Sequence, residues 1–173
     1  MSNKRTFAVL GVSETNSIFL AKQIAKTNSV LLFDHDAVVL NTVYSQILSE
    51  HPNANAEMMI CPTNASWEAD VIILSNPAAT DVNLIEKIRN VATGKIVIFL
   101  ENKKNTINFE STLEKLQLLV PFSKVIYCCE EKADAMATFS LKGNDVQALA
   151  TLVTFFTTID LKINVIFSNT INA

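Results

Sequence analysis

A chain of 173 residues, 49% hydrophobic and 18% charged, can bury one good core, which argues against a disordered protein and makes a single domain over 1–173 the expectation. The formal net charge of −3, with Lys103-Lys104 the one adjacent basic pair after the N-terminus, argues against nucleic acid as the main partner. The basic stretch 1–5 meets only a four-residue apolar run, too short for a secretory segment or a membrane span, so a cytoplasmic protein away from the membrane is expected.

The first element is a buried strand over 6–10. It runs through Gly11-Val12-Ser13-Glu14-Thr15-Asn16 into a helix over 15–26, with Ile18, Ala21, Ile24 and Ala25 on one face. Strand, turn and helix in this order open a dinucleotide-binding βαβ unit, whose fingerprint places glycine at three positions. Here those positions hold Gly11, Ser13 and Asn16, so only the first glycine is kept. The amides at the start of the helix still offer an anion site, which Glu14 weakens by repelling phosphate or by satisfying the amides itself.

A second strand over 30–33 is closed by Asp34-His35-Asp36, and a helix over 37–49 follows with Asp36 as its N-cap. Asp34 lies about twenty residues beyond the fingerprint, the usual distance for the acid that holds the adenosine ribose hydroxyls. That reading favours NAD; the competing one makes Asp34 or Asp36 a helix cap and nothing more. Residues 52–55 break the chain, and 58–60 supply a short third strand.

Residues 70–75 form the strongest strand, which leaves through Asn76-Pro77 because proline cannot continue a central strand. A helix over 81–91 has Asp81 near its start and is ended by Thr93-Gly94. A fifth strand covers 95–100. Then come a helix over 109–119, strands over 124–128 and 137–141, a turn at 142–145, a helix over 146–157 and a last strand over 161–167.

Continuous β-branched runs mean strands covered on both faces, and strands separated by helices mean parallel pairing through right-handed crossovers. The expected fold is therefore α/β, three-layered and doubly wound, with a mostly parallel sheet. The two strands after 124 lack an intervening helix, which gives that sheet an antiparallel edge.

Three passages besides 7–11 carry a family likeness: 69–77, 91–98, and 137–145 with its helix. On these the chain resembles the NADP-dependent, coenzyme F420-type oxidoreductases, whose Rossmann domain is shared with pyrroline-5-carboxylate reductases. The likeness covers nearly the whole chain. It implies an NAD(P)-binding oxidoreductase that transfers hydride, with a small-molecule nucleotide as ligand. It also implies that Asn76 and Pro77, at the crevice where open α/β sheets bind ligands, pass beside the nicotinamide ribose. The family's NADP preference is not matched by an Arg or Lys after Asp34, so NAD and NADP both stay open.

No residue presents itself as catalytic, and hydride transfer asks little of the protein beyond positioning the cofactor. His35 and His51 have no partner at readable spacing, and Glu101-Asn102-Lys103 lies where a substrate pocket or a solvated loop would be. Cys61, Cys128 and Cys129 are odd in number and without CxxC spacing, so they read as reduced thiols, the last two at a strand end, with no metal site. The alternative function is a non-catalytic domain of this fold acting as a small-ligand-binding or protein-interaction module. Leu149, Leu152, Val153, Phe155 and Phe156 exceed what one helix stripe needs, and a homodimer face would take up the remainder.

Overall fold

The computed structural model describes residues 4–75, 80–101, 109–131 and 137–166. One eight-stranded sheet runs through them in the order β3-β2-β1-β4-β5-β6-β7-β8. Its strands are β1 (Thr6–Leu10), β2 (Ser29–Phe33), β3 (Asn55–Met58), β4 (Val71–Ser75), β5 (Ile96–Glu101), β6 (Lys124–Glu131), β7 (Thr138–Gly143) and β8 (Lys162–Val165). The first six pair in parallel, β7 runs antiparallel to β6, and β8 is parallel to β7. The expected α/β sheet with an antiparallel edge is thus present.

Among the described residues, six helices cover its two faces: α1 (Thr15–Ala25), α2 (Ala37–Glu50), α3 (Pro62–Glu68), α4 (Val82–Ile88), α5 (Phe109–Leu119) and α6 (Val146–Thr158). Leu20, Ile24, Val43, Ile47, Leu152 and Phe156 of α1, α2 and α6 pack with Val9, Leu32 and Ile73 on one face. Ala65, Leu84, Ile88 and Leu113 of α3, α4 and α5 pack with Ala8, Leu10, Ile72 and Leu74 on the other. Central strands buried on both faces explain the unbroken apolar runs. Val71, Ile72, Ile73 and Leu74 have no exposed surface, and each contributes roughly 1.5–3 kcal/mol by leaving water.

Several boundaries differ from the sequence reading, each for a physical reason. The third strand lies at Asn55–Met58 instead of 58–60: it is a half-exposed sheet edge that tolerates Asn55 and Glu57, while Ile60 is almost fully exposed. Helix α3 was not foreseen; it is only seven residues long, and Pro62 at its first turn is its one sequence signal. Helix α4 ends at Ile88, and turns carry the chain to Gly94, whose φ of 76° suits glycine.

Strand β6 continues to Glu131, so Cys128 and Cys129 are buried within it and not at its end. Strand β7 runs on through Lys142 and Gly143, and the helix cap is Asp145, which accepts from Ala148 N. Residue 167 of the expected last strand lies outside the described residues. On α6, Leu149, Leu152, Phe155 and Phe156 are buried and Val153 packs partly against the core, so the core accounts for the apolar excess.

Candidate functional site

The strand order reverses at β1, which lies between β2 and β4, the switch point at which open α/β sheets form a ligand crevice. The register brings Leu10 beside both Phe33 and Leu74, so Gly11 and Asp34 emerge at the same carboxyl edge. Gly11 has φ 86°, a left-handed conformation in which a Cβ is disfavoured. Its N–H donates to Phe33 O at 2.8 Å, and its carbonyl accepts from the buried Ser75 hydroxyl of β4. The turn is therefore tied to both neighbouring strands.

Asp34 tightens it further. Its Oδ2 accepts from Val12 N at 2.8 Å and its Oδ1 from Asp36 N at 2.9 Å. Asp36 is the cap of α2, accepting from Val38 N and Val39 N. The two acids thus divide the roles that the sequence left open: Asp36 caps, and Asp34 faces the turn. Each carboxylate oxygen of Asp34 keeps a further lone pair for another donor.

Helix α1 starts with Glu14 in extended conformation as N-cap. Its carbonyl accepts from Ile18 N and from the Ser17 hydroxyl, and its side chain makes no cap hydrogen bond. Glu14 therefore does not satisfy the helix amides, and those of Thr15, Asn16 and Ser17 have no intrahelical acceptor. Asn16, at the third fingerprint position, is 3% exposed. Its Nδ2 donates to Glu101 O at the end of β5 at 3.1 Å, and its Oδ1 is buried without a hydrogen-bond partner among the described residues.

A hollow of about 280 Å³ opens between these elements, lined by Gly11, Ser13, Phe33, Asp34, His35, Thr80, Asp81 and Leu84. Across it, His35 Nε2 lies 2.9 Å from Asp81 Oδ2, and the His35 ring meets Phe33 edge-on with centroids 5.3 Å apart. Asp81 caps α4 by accepting from Leu84 N at 3.1 Å. That amide, and then His35, hold the Asp81 carboxyl below its ordinary pKa.

The sequence named Asp34, His35 and Asp81 separately; their convergence had no signal at readable spacing. Tyr127 was not singled out in the sequence; its hydroxyl donates to the Glu101 carboxylate at the end of β5. Burial, and then that carboxylate, push the Tyr127 pKa up, so the phenol stays protonated. Asn76 and Pro77, with Asn102 and Lys103, lie outside the described residues.

A larger hollow of about 570 Å³ lies at the opposite end of the sheet, lined by Arg5, Asn28 and the α6 threonines among others. Thr151 and Thr154 there donate back to carbonyls of their own helix. The crevice at the switch point is the better candidate, because it lies at the carboxyl edge of the parallel strands and carries the Asp34 carboxylate. Among the described residues no group of His, Cys, Asp and Glu could hold a metal, and no helix is long and apolar enough to cross a membrane.

No protein-family model matches this sequence, and no curated protein does. Solved structures do. A protein from Arthrobacter assigned as an F420-dependent NADP reductase superposes with a TM-score of 0.69 at 19% identity, over 93% of this chain and 84% of that one. The chain has the fold of these reductases. An imine reductase from Pseudomonas matches with a TM-score of 0.68 at 12% identity, over 95% of this chain and 57% of that one. One from Myxococcus stipitatus in complex with NADP+ gives 0.68 at 10% identity, over 93% and 54%. The chain thus spans little more than half the length of the imine reductases.

Proposed function

We propose that this protein binds a nicotinamide dinucleotide, NAD in preference to NADP, and is a hydride-transfer oxidoreductase of the reductase type. The observation that carries the reading is Asp34, at the end of β2, turned onto the Gly11-Val12 turn at the mouth of the switch-point hollow. In solved structures of the same fold, one of them in complex with NADP+, this fold accompanies reductase activity.

The residues fit the adenosine end of such a ligand. Asp34 has lone pairs left for the ribose hydroxyls, and Phe33, His35 and Leu84 offer flat or apolar walls to a base. A 2′-phosphate would meet the Asp34 carboxylate with Asp81 across the hollow, and among the described residues neither Arg nor Lys lines it, which disfavours NADP. The amides of Thr15, Asn16 and Ser17, at the start of α1, would serve the phosphates. Asn76 and Pro77, which follow β4, would border the nicotinamide ribose.

The bound nicotinamide would supply the hydride, and the chain's part is to orient it. Glu101, whose carboxylate accepts from the Tyr127 hydroxyl, stands at the end of β5 on the same edge of the sheet. Thermal unfolding with NAD, NADP, NADH or NADPH in millimolar excess tests the reading. A ligand at about 100 times its dissociation constant adds about 2.7 kcal/mol to the folded state. The expected result is a raised midpoint with NAD or NADH and a smaller rise with the NADP pair. No shift with any of the four refutes it.

A further inference from the structure

The hollow of about 570 Å³ at the amino edge of the sheet is within the roughly 300–1,000 Å³ of ordinary ligand clefts. Arg5, at the entry to β1, lines it together with Thr27 and Asn28 from the turn before β2. The main chain of Arg5 is fixed twice: its N–H donates to Asn28 Oδ1 at 3.0 Å, and its carbonyl accepts from Ser29 N at 3.2 Å. Its half-buried guanidinium has no hydrogen-bond or ion-pair partner among the described residues.

Donors and acceptors in this hollow are sorted. Thr151, Thr154 and Thr158, spaced three and four residues apart, share one face of α6. Their hydroxyls donate to the carbonyls of Gln147, Ala150 and Phe155 at 2.8, 2.9 and 2.6 Å, so each presents acceptor lone pairs to the hollow. Around Arg5 the groups are donors: the guanidinium N–H groups, and the hydroxyl of Thr27, whose oxygen already accepts from Asn28 Nδ2 at 2.9 Å. Threonine is a poor helix former, so a row of them on α6 runs against local preference, the kind of departure expected at a functional position.

The charge is equally one-sided. In a chain of net charge −3, no Asp or Glu among the described residues lines this hollow. A neighbouring hollow of about 430 Å³ shares Arg5 and Thr151 with it, but its lysines are engaged. Lys95 Nζ donates to Ser66 O at 2.7 Å and to Trp67 O at 2.6 Å, and Lys124 Nζ lies 3.8 Å from Asp145 Oδ2. Of the described cations lining the two hollows, Arg5 is the one left for an outside anion. Its planar fork matches a carboxylate through two parallel hydrogen bonds. Glu68 and Asp70 line the neighbouring hollow and would repel a doubly charged phosphate more than a singly charged carboxylate.

We propose that the hollow at the amino edge binds a small hydroxylated carboxylate, its carboxyl group on Arg5 and its hydroxyls donating to the α6 threonines. The site lies at the other end of the strands from the switch-point crevice, and it stands whether or not that crevice binds a dinucleotide.

Titration of the isotope-labelled full chain with gluconate, followed by amide NMR shifts, tests this. Gluconate is expected to bind with a dissociation constant of about 1–10 mM, moving the amides of Arg5, Asn28 and Thr151 and leaving those of Gly11 and Asp34 in place. Sorbitol, which lacks the carboxylate, and acetate, which lacks the hydroxyls, should each bind at least about tenfold more weakly, and glucose 6-phosphate no tighter than gluconate. No binding of gluconate, shifts confined to the switch point, equal binding of sorbitol or acetate, or tighter binding of the phosphate each overturns the proposal. Arg5→Gln keeps most of the side-chain stem and removes the fork, so a folded variant should lose at least about tenfold in gluconate affinity. Thr154→Val keeps the shape and removes one acceptor, for a loss of about threefold. Unchanged gluconate affinity in either folded variant refutes the role given to that side chain.

Discussion

Replacing Asp34 with alanine separates its part in the fold from its part in binding. The substitution removes a charged acceptor 2.8 Å from the N–H of Val12, a residue with no exposed surface. A buried donor left without a partner costs about 1–3 kcal/mol. The second amide, that of Asp36, is exposed enough for water to take over, and adds a few tenths at most. Removing one carboxylate from the neighbourhood of Asp36 and Asp81 returns a similar amount. The net expectation is about 2 kcal/mol, which for a chain of this size lowers the unfolding midpoint by about 4–8 °C. Asp34→Asn keeps one carbonyl oxygen for Val12 N and is expected to cost about half as much, roughly 1 kcal/mol. Urea unfolding followed by circular dichroism, with an unchanged m-value, is the assay. An alanine variant within about 0.5 kcal/mol of the wild type refutes the structural role and makes Asp34 a group held for ligand alone.

Two further substitutions probe other parts of the scaffold and the site. A Cβ at Gly143 would overlap Ile126 Cδ1 and lie 2.9 Å from Val125 O of the facing strand, so Gly143→Ala is expected to cost about 1–3 kcal/mol. The same urea titration checks it, and a neutral substitution would show that the β6–β7 pair can separate without cost. Asp81→Asn keeps a helix cap and removes the charge. Because the Asp81 pKa is held down by Leu84 N and then by His35, its stabilisation is fully present above about pH 4. As pH falls through the lowered folded-state value that stabilisation is lost. Melting temperatures of wild type and variant should therefore differ at neutral pH and converge in acid; a gap that persists at low pH contradicts the electrostatic origin.

The parts of this protein that follow from local chemistry could be read from its sequence. Val71 to Leu74 announce a doubly covered strand, Asp36 announces a cap, and Gly11 announces the turn that its φ of 86° requires. What escaped depends on distance along the chain. His35 meets Asp81 46 residues away because the strand order puts β2 and β4 on either side of β1, and Asn16 meets Glu101 85 residues away because it puts only β4 between β1 and β5. Strand β3 was misplaced because it is a short edge strand, where pairing overrides weak local preference, and helix α3 was missed because it is only seven residues long.

The same long-range contacts bear on what the loss of two glycines means. An intact fingerprint leaves its amides to be completed by ligand, so the turn gains order when the cofactor arrives. Here the turn is completed internally: Phe33 O takes the amide of Gly11, Asp34 that of Val12, and the Ser75 hydroxyl donates to Gly11 O. The turn is therefore ordered by the chain itself. Asn16 completes the argument, because its side chain anchors α1 to the end of β5 where glycine would leave a gap. Asn16 is then part of a turn that holds itself, with the hollow between Asp34 and Leu84 beside it.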